Sequence, residues 1–139
     1  MPTQAVASII AIILESYPNT KAIYLFGSYG TEYEWPDSDV DIAVLLPPME
    51  AKSVGHFVMS DTWLTLECAL NRDVDLVNLR LVSTVFQKEI VMADRRIFCA
   101  DPRADDDFEM LVLALYQKLN QERAEILAEG LRLGKFYNI

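Results

Sequence analysis

Between Asp37 and Leu46 the chain reads DSDVDIAVLL, and the end of that stretch constrains the fold more than any other segment. Ala43-Val44-Leu45-Leu46 is an apolar run with no polar alternation, which predicts an internal strand covered on both faces. Immediately before it, Asp37, Asp39 and Asp41 alternate with Ser38, Val40 and Ile42. The strand period of two predicts all three acids on one face, at a protected end of the sheet. Such a face cannot be ordinary core.

Upstream, Ile23 to Phe26 is a short apolar and aromatic run that stops at Gly27, as a buried strand does when it ends in a turn with exposed backbone. Glycine lets backbone approach a ligand closely, and the Ser28 hydroxyl with neighbouring amides can bond phosphate oxygens. The acids then need a counter-charge. Two carboxylates about 4 Å apart repel by roughly 4 kcal/mol at an effective dielectric of about 20. Mg²⁺ removes that penalty, usually taking one or two protein carboxylates and completing its shell with water and substrate phosphates. A nucleoside triphosphate is the natural donor of those phosphates, with Asp39 and Asp41 as the metal ligands and Gly27-Ser28 on the outer phosphates.

Gly27-Ser28, ten intervening residues and Asp39-Val40-Asp41 together resemble the signature of the DNA polymerase beta-like nucleotidyltransferase superfamily. Within it, the chain resembles the minimal nucleotidyltransferase (MNT) antitoxins paired with HEPN-domain ribonuclease toxins. The likeness covers about residues 21–101. Relatives often carry an arginine soon after the Gly-Ser pair, whereas Tyr29-Gly30-Thr31-Glu32 has no basic residue.

The resemblance implies a nucleotidyltransferase fold and a third acid from a neighbouring strand as metal ligand or general base. Asp73-Val-Asp-Leu-Val-Asn-Leu79 is the strand that could deliver it. Asp75 fits the position inside the apolar run, and Asp73 reads as a strand-entry residue. The implied activity is Mg-dependent transfer of AMP from ATP to a tyrosine of a cognate HEPN toxin, which inactivates it. A non-catalytic antitoxin acting by binding, and a small-molecule transferase of the aminoglycoside-modifying type, are the alternatives. Chain length counts against the second, because little sequence remains for an acceptor pocket.

At 139 residues the chain is expected to form one domain, 1–139, with an α/β or α+β architecture on a small mixed sheet. Val6, Ile9, Ile10, Ile13 and Leu14 predict an amphipathic helix over Met1–Tyr17, ended by Pro18-Asn19. Pro47-Pro48 breaks the strand after Leu46. Met59, Trp63, Leu66 and Leu70 predict a helix over Ser53–Asn71, and Val82–Ala93 a third. Arg96–Ala100 reads as an edge strand. Asp105-Asp106-Asp107 is expected to cap a long helix over about 104–129, as an acidic helix start. That helix is apolar around much of its girth, so part of it is expected to meet another chain.

The net charge of −9 argues against a surface that neutralises nucleic-acid phosphates. No run reaches the length of a membrane span and no basic leader precedes an apolar core, so the expected location is the cytoplasm. Cys68 and Cys99 lack metal-ligand spacing and read as buried thiols. His56, the single histidine, has no visible partner and reads as a surface residue. The tail around Gly130, Gly134-Lys135 and Phe136 is too compact for a phosphate loop.

Overall fold

The computed structural model describes residues 3–57 and 60–133. Its elements are α1 (Thr3–Ser16), β1 (Ala22–Phe26), β2 (Val40–Leu45), α2 (Pro48–Val54), α3 (Asp61–Leu70), β3 (Val74–Asn78), α4 (Thr84–Met92), β4 (Arg96–Cys99) and α5 (Pro102–Leu133), with a 3-10 turn at Leu79–Leu81. The strands form one mixed sheet in the order β3-β2-β1-β4. β1 runs antiparallel to both β2 and β4, and β2 runs parallel to β3. A parallel pair needs a crossover, which α2 and α3 supply.

β2 is internal, as its apolar run requires, and its alternation sorts the core into two halves. Val40, Ile42 and Val44 join Ile9, Ile13, Ile23, Leu25, Leu66 and Leu76 beneath α1 and α3. Ala43 and Leu45 face the other way with Tyr24, Leu79 and Ile90, against Phe86 of α4 and Phe108 of α5. Asp41 continues this second face toward the start of β2, and Asp39 lies just before the strand.

Several expectations change in detail. The helix expected over Ser53–Asn71 is two helices, parted at Gly55 (φ +67°) and restarted at Ser60, whose hydroxyl accepts the Trp63 amide at 3.2 Å. Pro48 opens α2 rather than merely ending β2, because a proline at the first helical position gives up only an amide that has no helical partner there. Met59 lies outside the described residues, as do Met1, Pro2, Gly134, Lys135 and Phe136.

The Asp105-Asp106-Asp107 triplet is not the cap of α5. Asp101 is: its carboxylate accepts the amides of Arg103 and Ala104 at 3.2 and 3.4 Å. Asp105 is buried and accepts the Cys99 thiol at 2.9 Å, while Asp106 and Glu109 take Arg96 at 3.0 and 2.7 Å. These bonds fasten the first turns of α5 to edge strand β4. Both cysteines are free, but Cys68 is exposed rather than buried, since the helix face that carries it looks outward. His56 is exposed between α2 and α3.

Candidate active site

β1 ends at Phe26, paired with Asp41 across the antiparallel ladder, and Asp41 is in turn opposite Asp75 across the parallel ladder. Three adjacent strands therefore meet at one level: the Gly27 turn, Asp41 and Asp75. Gly27 has φ +72°, and a Cβ there would lie 1.9 Å from Asp41 Oδ2. Only glycine fits, because the missing side chain is the space the Asp41 carboxylate occupies.

Burial, then the neighbouring charges of Asp75 and Asp39, push the Asp41 carboxyl from its ordinary 3.8 up to about 6, while Arg95 opposes the rise. Asp75 and Asp39 thus lie close enough to act on the Asp41 carboxyl, and Asp37 is not among the charges that do. Asp39 and Asp75 are exposed beside half-buried Asp41. Among the described residues no three His, Cys, Asp or Glu side chains gather closely enough to cage an ion. Magnesium does not require such a cage, since substrate phosphates and water complete its shell.

Asp37 departs from expectation. The strand begins only at Val40, and Asp37 lies in a turn closed by the Ser38 amide donating to the Trp35 carbonyl at 2.9 Å. It faces a polar cleft of about 600 Å³ with Asp73, Glu67 and Arg72. The period-two argument fails there because period two holds only inside the ladder. The same distinction separates Asp73 from Asp75. Asp73 precedes β3, where its carbonyl accepts the Val40 amide at 2.9 Å, whereas Asp75 is within the strand.

The register of β3 is fixed by α3. Trp63 Nε1 donates to the Val74 carbonyl at 2.7 Å, and Glu67 accepts the Val74 amide at 2.9 Å. Both backbone groups of the residue before Asp75 are thereby held. A slip of one residue would turn Asp75 to the other face.

The loop between Gly27 and Asp39 is braced by residues the sequence reading did not single out. Ser28 Oγ meets the buried Ser38 Oγ at 3.3 Å, and Ser38 Oγ accepts the Trp35 amide at 2.9 Å. Arg72 bonds Glu34 at 2.7 Å and the Ser38 carbonyl at 3.2 Å, and its guanidinium lies over the Tyr29 ring at 4.8 Å. Glu34 also accepts the Gly30 amide at 2.7 Å, and that bond above all lowers its pKa. From the far side, Arg95 donates to the carbonyls of Gly27, at 3.0 Å, and Tyr29. Arg95 is 68 residues from Gly27, so no local pattern could have paired them.

The site sets a Gly-Ser turn against acids at the start of a strand, and residues 9–103 match the family described as Polymerase beta, Nucleotidyltransferase. The chain belongs to that family. A nucleotidyltransferase from Shewanella oneidensis, described as Protein adenylyltransferase MntA, is 34% identical over 119 residues, spanning 86% of this chain and 82% of the relative. Among solved structures, a toxin–antitoxin complex with AMP-PNP superimposes with a TM-score of 0.68 at 30% identity, covering 91% of this chain and 98% of that one. A tri-AMPylated Shewanella oneidensis HEPN toxin in complex with MNT antitoxin gives 0.66 at 30% identity, covering 94% and 99%. The nucleotidyltransferase fold expected from the sequence is thus the fold of the chain, in its mixed sheet and its long C-terminal helix.

Proposed function

We propose that this nucleotidyltransferase is a single-domain, Mg-dependent protein adenylyltransferase that acts as an antitoxin, moving AMP from ATP to a tyrosine of a cognate HEPN ribonuclease toxin in the cytoplasm. The observation that carries the reading is the Asp41 carboxylate seated in the space left by Gly27, level with Asp75 and beside Asp39. The kinship with an adenylyltransferase and with a complex containing an AMPylated toxin supports the choice of acceptor. No helix among the described residues is long and apolar enough to cross a membrane.

The donor set fits magnesium. Asp39 and Asp41 would hold the ion, since a half-buried carboxylate crowded by two others gains most from a hard cation. When bound, that ion supplies charge neutralisation on the triphosphate and on the departing pyrophosphate.

Gly27 and Ser28 seat the outer phosphates, and among the described residues the Ser28 and Tyr29 amides donate to no protein acceptor. Asp75, exposed and on the neighbouring strand, faces the incoming hydroxyl and takes its proton or fixes its geometry. A tyrosine with an unperturbed pKa near 10 costs roughly 4 kcal/mol to ionise at neutral pH, which is the barrier this carboxylate would lower. The tyrosine oxygen then bonds the α-phosphorus, the bond to the bridging oxygen breaks, and pyrophosphate leaves.

Replacing Asp39 and Asp41 together by Asn tests the assignment. Transfer of AMP to the toxin should fall by about a thousandfold or more with the thermal midpoint unharmed, read by intact-mass measurement. Near-normal Mg-dependent transfer by the double variant would refute it.

A further inference from the structure

We propose that Arg95 is a positioning residue for the outer phosphates of the nucleoside triphosphate: it braces the Gly27–Tyr29 turn from behind and aims the Ser28 amide away from itself, into the phosphate site. The inference rests on the nucleotidyl-transfer reading of that site.

The site has an electrostatic problem. Asp39, Asp41 and Asp75 already crowd one end of the sheet in a chain of net charge −9, and a triphosphate adds more negative charge. From Gly27 to Asp41 the sequence contains no Lys or Arg. The cation comes from elsewhere in the chain.

Arg95 lies between α4 and β4, and its own carbonyl accepts the Leu25 amide at 2.9 Å, which anchors its backbone beside the end of β1. Its side chain is half-buried, and Nη1 donates to the Gly27 carbonyl at 3.0 Å while Nη2 donates to the Tyr29 carbonyl. The two carbonyls flank Ser28, so one rigid guanidinium spans the turn. A planar fork with several donors can do this, whereas a lysine ammonium on a flexible stem cannot hold two carbonyls in fixed geometry as well.

The consequence follows from the peptide plane. A trans peptide places C=O and the next N–H on opposite sides, so drawing the Gly27 carbonyl toward Arg95 turns the Ser28 N–H the other way. A charged donor on the carbonyl also polarises the unit and makes its N–H a stronger donor. The second carbonyl belongs to the peptide whose N–H is that of Gly30, and this amide is held by Glu34 at 2.7 Å. Both ends of the turn are thereby fixed, and the Ser28 amide between them is left for the ligand. Arg95 acts through the turn, with its charge close enough to Asp41 to favour the carboxylate form.

The test compares Arg95→Met and Arg95→Lys with wild type in the full chain, measuring Mg-dependent binding of ATP and of AMP by calorimetry, together with KM and kcat for ATP. Arg95→Met should weaken ATP binding at least about tenfold and AMP binding less than about twofold, because AMP has no outer phosphates. KM should rise with kcat at saturating ATP within about threefold, the pattern of lost ground-state binding. Arg95→Lys should recover part of the loss. Equal weakening of ATP and AMP, or unchanged ATP binding by Arg95→Met, overturns the proposal. Should Arg95→Met not fold, Arg95→Lys decides, and an ATP-to-AMP preference equal to wild type overturns it. A wild-type chain that binds no Mg-ATP would overturn the nucleotidyl-transfer reading itself, and this inference with it.

Discussion

The two ends of this molecule that the proposed function uses are finished to different degrees. Around the Gly27 turn the loop carbonyls and the strand register are held from within the chain: Arg95 and Arg72 brace the loop, Trp63 and Glu67 set the register of β3, and Gly27 makes room for Asp41. The far half of α5 is the opposite. Residues 120–129 are all exposed, and Ile126 and Leu131 show 65% and 69% of their surface to solvent. A bare helical half of that length is marginal in water, and each large apolar side chain it could bury is worth roughly 1.5–3 kcal/mol. Under the proposed function the difference has a simple meaning. The donor half of the reaction is completed within the chain, and the acceptor half is to be completed by the toxin.

The comparison is broken most severely at Asp75. Asp75→Asn should lower kcat for toxin modification by about a hundredfold or more while Mg-ATP binding survives, because the proton-transfer role is lost and Asp39 and Asp41 still hold the donor. Asp73→Asn should stay within about threefold of wild type, since loss of an exposed strand-entry carboxylate removes no group from the site. Single-turnover rates with the reverse ranking would mean that the wrong acid has been placed at the site.

The helix gives a smaller and separate effect. Ile126→Glu with Leu131→Glu should weaken toxin binding about tenfold or more by surface plasmon resonance, with ATP affinity unchanged, if these side chains are buried against the partner. Equal toxin affinity for the double variant would return the far half of α5 to being a solvated extension.

The smallest effect concerns the cost of the acidic site to folding. Asp41 has a folded pKa near 6 against an ordinary 3.8, so its ionisation opposes folding. The stability tied to its neutral form is complete below about pH 4 and is lost as pH rises through about 6. Asp41→Asn should therefore stabilise the metal-free chain at pH 8 by about 1 kcal/mol, a figure reduced for a half-exposed group, and by nothing at pH 4. Thermal melts at the two pH values check this, and a variant that is less stable at pH 8 contradicts it.

The same contrast explains what the sequence made legible. The Gly-Ser turn, the ten-residue gap and the paired acids are local patterns; strand periodicity carries Asp41 onto its face, and Asp39, one residue before the strand, is still close enough for its charge to raise the Asp41 pKa. The position of Asp75 inside β3 was legible because an acid interrupting an apolar strand is conspicuous. Arg95 and Arg72 were not, because their partners lie 66 to 68 and 34 to 38 residues away and only the folded chain pairs them. Asp37 misled because its alternation continues into a turn where the ladder has ended. The Ser53–Asn71 helix misled because Gly55 and Ser60, a stop and a start, fell inside one apolar period.

The account stands on catalysis rather than occupancy, and stoichiometry separates the two. The decisive experiment mixes purified toxin with about one-tenth as much of this chain, adds ATP and Mg²⁺, removes the chain, and reads toxin mass and ribonuclease activity. The account predicts that all of the toxin becomes heavier by whole AMP units and stays inactive, and that neither happens without ATP. Toxin of unchanged mass, silenced only while an equimolar amount of this chain remains bound, would contradict it.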